Sequence, residues 1–308
     1  MAVTTRLRHV TESQQFSRAL LEDLISRADE MKREPHHFMG RLTGQVMAAL
    51  FYEPSTRTRL SFEAAMLRLG GQTMGTDNAR EFSSAAKGET LEDTIRILGG
   101  YADVIVLRHS EEGAARRAAA VSGVPIINAG DGPGQHPTQA LLDLYTIRAE
   151  LGRIDAVNVA MVGDLANGRT VRSLTYLLSK FKDIRVWFVA PPQVAMRPDL
   201  KGHLDEHRVP WVETEDLDAV LPEVDVVYMT RIQKERFADP EAYNAVKGVY
   251  RIDRRAMALM RKDAILMHPL PRVDEIAPEV DDDPRAAYFR QARNGLHIRM
   301  ALLDRLLS

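Results

Sequence analysis

The chain has 308 residues, more than a single domain of about 100–200, and its 45% hydrophobic and 27% charged content suits a soluble protein with a real core, not a disordered one. Lys plus Arg (41) nearly balances Asp plus Glu (43), so no global field points to nucleic acid or an anionic membrane, and any basic site must be local. The absence of cysteine removes disulfides, thiolate metal sites and cysteine nucleophiles, and with no signal-peptide run and no stretch long enough to span a bilayer the expected compartment is the cytoplasm.

In chain order, Ser13 is placed to cap a helix through about Arg33, and the first β-rich run comes at Val46–Tyr52. Thr90-Leu-Glu-Asp93 resembles a capping box, opening a helix that stops at Gly99-Gly100. Further short apolar runs occur at Val104–Leu107 and Val124–Ile127, before a helix with Pro137 at its first position and Gly152 at its end. Beyond it lie four more runs: Val157–Val162, Ile184–Val189, Val224–Met229 and Ala264–Met267. Asp283-Pro284 can start a final helix, with Ala292, Leu296, Met300, Leu303 and Leu307 on one stripe.

Continuous apolar strands alternating with helices predict an α/β architecture. Two lobes are expected, each a parallel β-sheet flanked by helices. Residues 1–150 form the first, the C-terminal helix 286–308 returns to it, and residues 151–285 form the second.

The residues just past each strand are informative. The first run leads to Glu53 and Ser55-Thr-Arg-Thr58, the next to Arg108-His109, and the third to Asn128 and a Gly-rich turn reaching His136 and Gln139. In the second lobe come Gly163-Asp-Leu-Ala-Asn-Gly-Arg-Thr170, then Thr230-Arg-Ile-Gln233, then His268-Pro-Leu-Pro-Arg272. Ligands of open parallel sheets bind at the carboxyl ends of the strands. There Arg57, Arg59, Arg108, His136, Arg169, Arg231, His268 and Arg272 outnumber the acids Glu53 and Asp164, which implies anionic ligands such as a phosphate and a carboxylate.

At Pro54-Ser-Thr-Arg-Thr-Arg59 the positive charge opposes the helix dipole, at about 0.3–1 kcal/mol for each cation. A bound anion would reverse that sign for Arg57, whereas Arg59 has Glu63 four residues on as a local partner. Gly163-x-x-x-x-Gly168-Arg169-Thr170 has the spacing of a phosphate loop but carries Arg in place of Lys. No Gly-x-Gly-x-x-Gly, His-Glu-x-x-His or Gly-x-Ser-x-Gly motif is present, and the histidines read as dispersed, so no cofactor or catalytic metal is expected. Asp281-Asp-Asp283 reads as a solvated loop and cap. The stretch from Glu81 to Glu89, with Ser83 and Lys87, reads equally as a mobile phosphate-seeking loop or an exposed linker.

These residues resemble the aspartate and ornithine carbamoyltransferases. Phe51-Tyr-Glu-Pro-Ser-Thr-Arg-Thr-Arg59 is similar to the family's carbamoyl phosphate signature and His136-Pro-Thr-Gln139 to its second one. The likeness extends through Lys87-Gly-Glu-Thr90, Met229-Thr-Arg-Ile-Gln-Lys-Glu-Arg236 and His268-Pro-Leu-Pro-Arg-Val-Asp-Glu-Ile276, from about Gly44 to the C-terminus. Pro269 stands where the ornithine branch has a cysteine, and Arg169, Arg231 and Gln233 suit a dicarboxylate, so the aspartate branch is the nearer. Ala86 departs from the paired lysines of some members.

The resemblance implies carbamoyl transfer from carbamoyl phosphate to the α-amine of L-aspartate, without cofactor or metal, early in pyrimidine biosynthesis. Ser55, Thr56, Arg57 and Thr58 would hold the phosphate, joined by Ser83 and Lys87 from a neighbouring subunit. Thr58, Arg108 and His136 would polarise the carbonyl, and Gln139 would hold the carbamoyl amide. Lys87, Arg169, Arg231 and Gln233 would bind aspartate, with backbone carbonyls from Pro269 and Leu270. The expected catalytic group is Arg57, Thr58, Lys87, Arg108 and His136. Glu53 would orient arginines, with Arg169 and Arg236 its expected partners. Closure of the lobes on the substrates and a homotrimer with shared sites are implied, and the family leaves room for regulatory chains. The alternatives are transfer to another amino acid such as ornithine, a nucleotide-binding protein and a non-catalytic scaffold.

Overall fold

Runs such as Val104-Ile-Val-Leu107 have no polar alternate position, so a strand built from them must be covered on both faces, and all four residues are buried. The computed structural model describes residues 7–76, 78–79, 87–232 and 239–308. Contacts divide the chain into two units, Met1–Leu142 with Arg293–Ser308, and Asp143–Ala292. Both divisions fall inside helices, Pro137–Leu151 and Tyr288–Leu307, so each of these helices has residues assigned to each unit.

The first unit holds β1 (Val46–Phe51), β2 (Gln72–Thr76), β3 (Val104–His109) and β4 (Ile126–Asp131) in a parallel sheet of order β2-β1-β3-β4. From β1 the chain crosses to β2 on one side and then to β3 on the other. The strand order therefore reverses between β1 and β3. One face of this sheet packs Leu50, Ile105, Leu107 and Ile126 against Leu91, Ile95 and Ala118 from the helices Leu91–Leu98 and Ala114–Val121.

The second unit holds β5 (Asn158–Val162), β6 (Arg185–Val189), β7 (Trp211–Thr214), β8 (Val226–Met229) and β9 (Ile265–Met267), parallel and in the order β7-β6-β5-β8-β9. Here the order reverses between β5 and β8. Val162, Val227, Met229 and Leu266 form its core with Val220, Leu221, Tyr250 and Tyr288.

Several boundaries differ from expectation. Ser17, not Ser13, caps the first long helix, Arg18–Arg33, by accepting from Leu20 N, while Ser13 opens a separate 3₁₀ turn to Gln15. The last helix begins at Tyr288, because Asp283 Oδ1 is taken by Arg285 N and Nε. Its buried side is wider than the expected stripe: Ala292 is exposed, whereas Ile298, Ala301, Leu302 and Leu306 are buried. Thr90 caps the helix Leu91–Leu98 through Asp93 N, as its sequence predicts.

Candidate active site

A strand-to-helix turn leaves free amides unless a side chain closes them, and in β1 that turn is left open. Ser55 is the N-cap of the helix Thr56–Arg68, yet its side chain makes no capping bond. Arg57 is exposed and has neither hydrogen bond nor ion pair among the described residues, and lost hydration lowers its guanidinium pKa. Arg59 differs: its Nε donates to Glu63 Oε1 at 2.7 Å. A helix start with open amides and an uncompensated guanidinium is a site for an oxyanion.

The neighbouring strands add to this turn. Arg108 pairs laterally with Phe51 inside β3. Its guanidinium donates to Ala129 O on β4 at 3.2 Å and lies 3.6 Å from Glu53. Glu53 therefore has Arg108 as a partner, while its expected partner Arg236 lies outside the described residues.

His109 Nδ1 accepts from Glu111 N, and burial lowers its pKa, so the ring is neutral with its proton on Nε2. At the end of β4, Asp131 shapes the turn by accepting from Gln135 N and Gly113 N. A side chain at Gly132, whose φ is +53°, would meet Ser110 O at 2.3 Å. The turn delivers His136 and Gln139, both buried, to the start of the helix Pro137–Leu151. Thr58 is buried too. Ser55, Thr56, Arg57, Thr58, Arg108, His136 and Gln139 thus gather on three adjacent strand ends, beside the reversal between β1 and β3, where such sheets bind ligands.

The second unit repeats this logic at its own reversal. Gly163 succeeds β5 with φ +110°, and a side chain there would meet Thr230 O at 2.3 Å, so only glycine lets the ends of β5 and β8 come so close. Gly168 is the N-cap that puts Arg169 at the start of the helix Arg169–Leu178. Arg231 lies two residues past β8 and lines a cavity of about 330 Å³ with Gly163, Thr230, Lys247, Tyr250 and Glu275. Burial, with Glu215 nearby, pushes the Tyr250 hydroxyl up to about 12, so it stays protonated and donates to Glu215 O.

Pro269 and Leu270 come after β9, and Leu270 takes the left-handed conformation with φ +54°. Its N–H donates to His268 Nδ1, and the other ring nitrogen of His268 meets Glu275 Oε1 at 2.7 Å. Burial alone would raise the Glu275 pKa, but the bond to and charge of His268, with the amides of Glu275 itself and Val273, bring it below the usual carboxylate value.

Two members of the expected cationic set have structural roles instead. His268 is buried against Glu275, and Arg272 is held by Asp281 and the Tyr288 hydroxyl. Asp281 is consequently a counter-ion, not a solvated loop residue. Lys87 is exposed, while Ser83 and Gln233 lie outside the described residues.

The histidines are also less dispersed than their spacing in the sequence suggests. His203, Glu206 and His207, in and just after the helix Pro198–Glu206, bring potential metal-ligand atoms within 4.8 Å of one another, the only such group among the described residues. Burial and His207 lower the His203 pKa to about 4, and the group contains none of the strand-end residues above. Their i, i+3, i+4 spacing is the signal that could have found them. Lys247 escapes a sequence-based search because it lies after a helix and carries no strand-end signature.

Two parallel sheets, each with cations near its reversal, define an α/β protein with two candidate anion sites. Comparison with known proteins makes this specific. Residues 8–149 match the family model "Aspartate/ornithine carbamoyltransferase, carbamoyl-P binding domain", and residues 155–306 match its "Asp/Orn binding domain". The chain belongs to the aspartate/ornithine carbamoyltransferase family.

It is 60% identical to the chloroplastic aspartate carbamoyltransferase of Arabidopsis thaliana, over 98% of this chain and 78% of the relative. It is 54% identical to the aspartate carbamoyltransferase catalytic subunit of Methanocaldococcus jannaschii, over 87% and 86% of the two chains. The Trypanosoma cruzi aspartate transcarbamoylase solved with carbamoyl aspartate and phosphate superposes with a TM-score of 0.92 at 46% identity, covering 98% of this chain and 96% of that one.

Proposed function

We propose that the chain transfers the carbamoyl group of carbamoyl phosphate to the α-amine of L-aspartate, giving N-carbamoyl-L-aspartate and phosphate, an early step of pyrimidine biosynthesis. The amine nitrogen forms the new bond to the carbamoyl carbon, the bond from that carbon to the phosphate oxygen breaks, and an amine proton is lost. One observation carries the reading: among the described residues Arg57 has no carboxylate partner, and it stands at the open helix start beside the first reversal. The Trypanosoma cruzi relative solved with carbamoyl phosphate and aspartate, 45% identical over 98% of this chain, supports the choice of substrates.

Residues 1–150, with the C-terminal helix 286–308, serve as the carbamoyl phosphate-binding domain, and residues 151–285 as the aspartate-binding domain. Ser55, Thr56, Arg57 and Thr58 hold the phosphate. Thr58, Arg108 and His136 donate to the carbonyl oxygen as charge develops on it, and Gln139 holds the carbamoyl amide. Arg169 and Arg231, with Lys87 and Gln233, bind the carboxylates, while the carbonyls of Pro269 and Leu270 accept from the two nitrogens. Because the mixed anhydride is already activated and the amine attacks directly, the protein's contribution is positioning and electrostatic stabilisation.

For the assembly we propose a homotrimer in which Ser83 and Lys87 act in a neighbour's site. The apolar side chains of Leu60, Leu67, Ile97 and Tyr101, all exposed on the first unit, support a subunit contact there. A regulatory partner chain is consistent with the "catalytic subunit" name of the methanogen relative. For the compartment we propose the cytoplasm; the plant relatives are named chloroplastic, and fractionation of the source cells decides. No helix among the described residues is long and apolar enough to cross a membrane.

Calorimetric titration with N-(phosphonacetyl)-L-aspartate tests the substrate assignment. Binding much tighter than that of either carbamoyl phosphate or aspartate is expected, since the analogue joins both ligands in one molecule. No detectable binding would sink it.

A further inference from the structure

Among the buried groups of the second unit, one polar chain has no part in the reaction described above. Asp143 is fully buried in the helix Pro137–Leu151, within the apolar sequence Leu141-Leu-Asp-Leu-Tyr145. Its two carboxylate oxygens are used separately. Oδ2 accepts from the Tyr228 hydroxyl at 2.7 Å, and Oδ1 accepts from Gln291 Nε2 at 2.6 Å. The other end of the Gln291 amide, Oε1, accepts from the backbone N–H of His268 at 2.9 Å.

The chain has a fixed polarity. A carboxylate only accepts and a backbone N–H only donates, so the Gln291 amide fits one way round and cannot flip without losing both bonds. Beyond it, His268 Nδ1 accepts from Leu270 N at 2.8 Å, which leaves the proton on Nε2 to face Glu275. Asp143, Tyr228, Gln291, His268 and Glu275 are all buried, so each bond lies where an unmade one costs most.

The ends of this chain identify its role. Tyr228 and Met267 are lateral partners on the adjacent strands β8 and β9. Three residues past Tyr228 stands Arg231; two residues past His268 stands Leu270 in its left-handed conformation. Glu275, at the far end, lines the same cavity as Arg231.

We infer that Asp143 and Gln291 are positioning residues for the amino-acid substrate: they tie Tyr228 to His268 and so fix the Arg231 loop against the Leu270 loop. This builds on the function proposed above, where Arg231 holds a carboxylate and the Leu270 segment receives the amine. An error in that offset would move the attacking nitrogen relative to the anchored carboxylates, and a misplacement of about 1 Å can cost about 10²-fold in rate. Neither residue need touch substrate.

Two variants of the full-length protein test the inference. Gln291→Met keeps the length of the side chain and removes both bonds. The expected result is a fall of about tenfold or more in kcat together with a raised KM for aspartate, while the KM for carbamoyl phosphate stays within about twofold.

Gln291→Glu keeps the shape and makes the outcome conditional. Two carboxylates at that distance share one proton, which restores both bonds. The titratable groups facing it are Asp143, Tyr228 and His268, with Glu275 beyond. As pH rises and the shared proton leaves, the two carboxylates repel, so kcat should fall with a pH dependence absent from the parent.

Equal rises in the KM of both substrates would mark a diffuse structural defect and overturn the inference. So would parental kinetics in Gln291→Met. If that variant does not fold, Gln291→Glu decides alone: activity recovered at low pH supports the inference, and a protein unfolded or inactive at every pH contradicts it. A parent protein without carbamoyltransferase activity would instead refute the proposed function, so the two failures are distinguishable.

Discussion

Arg57 and Arg59 lie two residues apart at one helix start but differ in circumstance, and their substitutions should separate binding from stability. Replacing Arg57 by Ala removes a cation from a positive helix end, so the unliganded protein should melt at the same or a slightly higher temperature, by about 0.3–1 kcal/mol of stability. Turnover with carbamoyl phosphate should fall by about 10²–10³. Arg59→Ala loses its pair with Glu63 and should cost about 0.2–0.5 kcal/mol in scanning calorimetry. Full activity in Arg57→Ala would return the residue to the surface.

The pairing of Arg59 with Glu63 was legible because a charge that opposes a helix dipole calls for a local partner, and the same argument leaves Arg57 to the proposed ligand. The roles of His268 and Arg272 were not, since a strand end leading into a cation reads the same whether that cation faces a ligand or a distant acid such as Glu275 or Asp281. For Glu275 the sign of the pH effect comes from its lowered pKa. Its contribution is present above the unfolded value of 4.5 and is lost as pH falls through the lower folded value. Glu275→Gln should therefore cost about 1–3 kcal/mol at neutral pH, in urea unfolding, and should flatten the loss of stability in acid. Parallel acid titrations of the two proteins would contradict this.

At the scale of elements, the strands found by sequence are those with two lateral neighbours, apart from β4 and β9. The two it missed, β2 and β7, are at sheet edges, where half the side chains meet water and no apolar run forms, as in Gln72-Thr-Met-Gly-Thr76. Strands β3 and β4 run on through Arg108-His109 and Asn128, polar residues that pairing carries past the apolar stretch. Asp143 left a visible trace, an acid among leucines, but its partners Tyr228 and Gln291 are 85 and 148 residues away and no local pattern joins them. Gly163 belongs to this scale because it sets the spacing of β5 and β8. Gly163→Ala forces a side chain against Thr230 O in a conformation that costs about 1–3 kcal/mol. It should lower the unfolding midpoint and raise the KM for aspartate more than that for carbamoyl phosphate. Equal effects on both would disconnect the β5–β8 spacing from the amino-acid site.

For the whole molecule, the near balance of acids and bases hides two local concentrations of positive charge, one at the reversal of each sheet. Composition could exclude a global polyanion partner, but locating the sites required the strand order, and naming them required the family. The proposed trimer predicts a sedimentation coefficient of three chains, and a monomer that retains full activity would remove the shared role of Ser83 and Lys87. The most direct measurement tracks ¹³C-labelled carbamoyl phosphate by NMR with aspartate and, separately, with ornithine. Labelled N-carbamoyl-L-aspartate appearing with phosphate, and no product from ornithine, is the predicted result. Citrulline formation, or no transfer to aspartate by the folded protein, would contradict it.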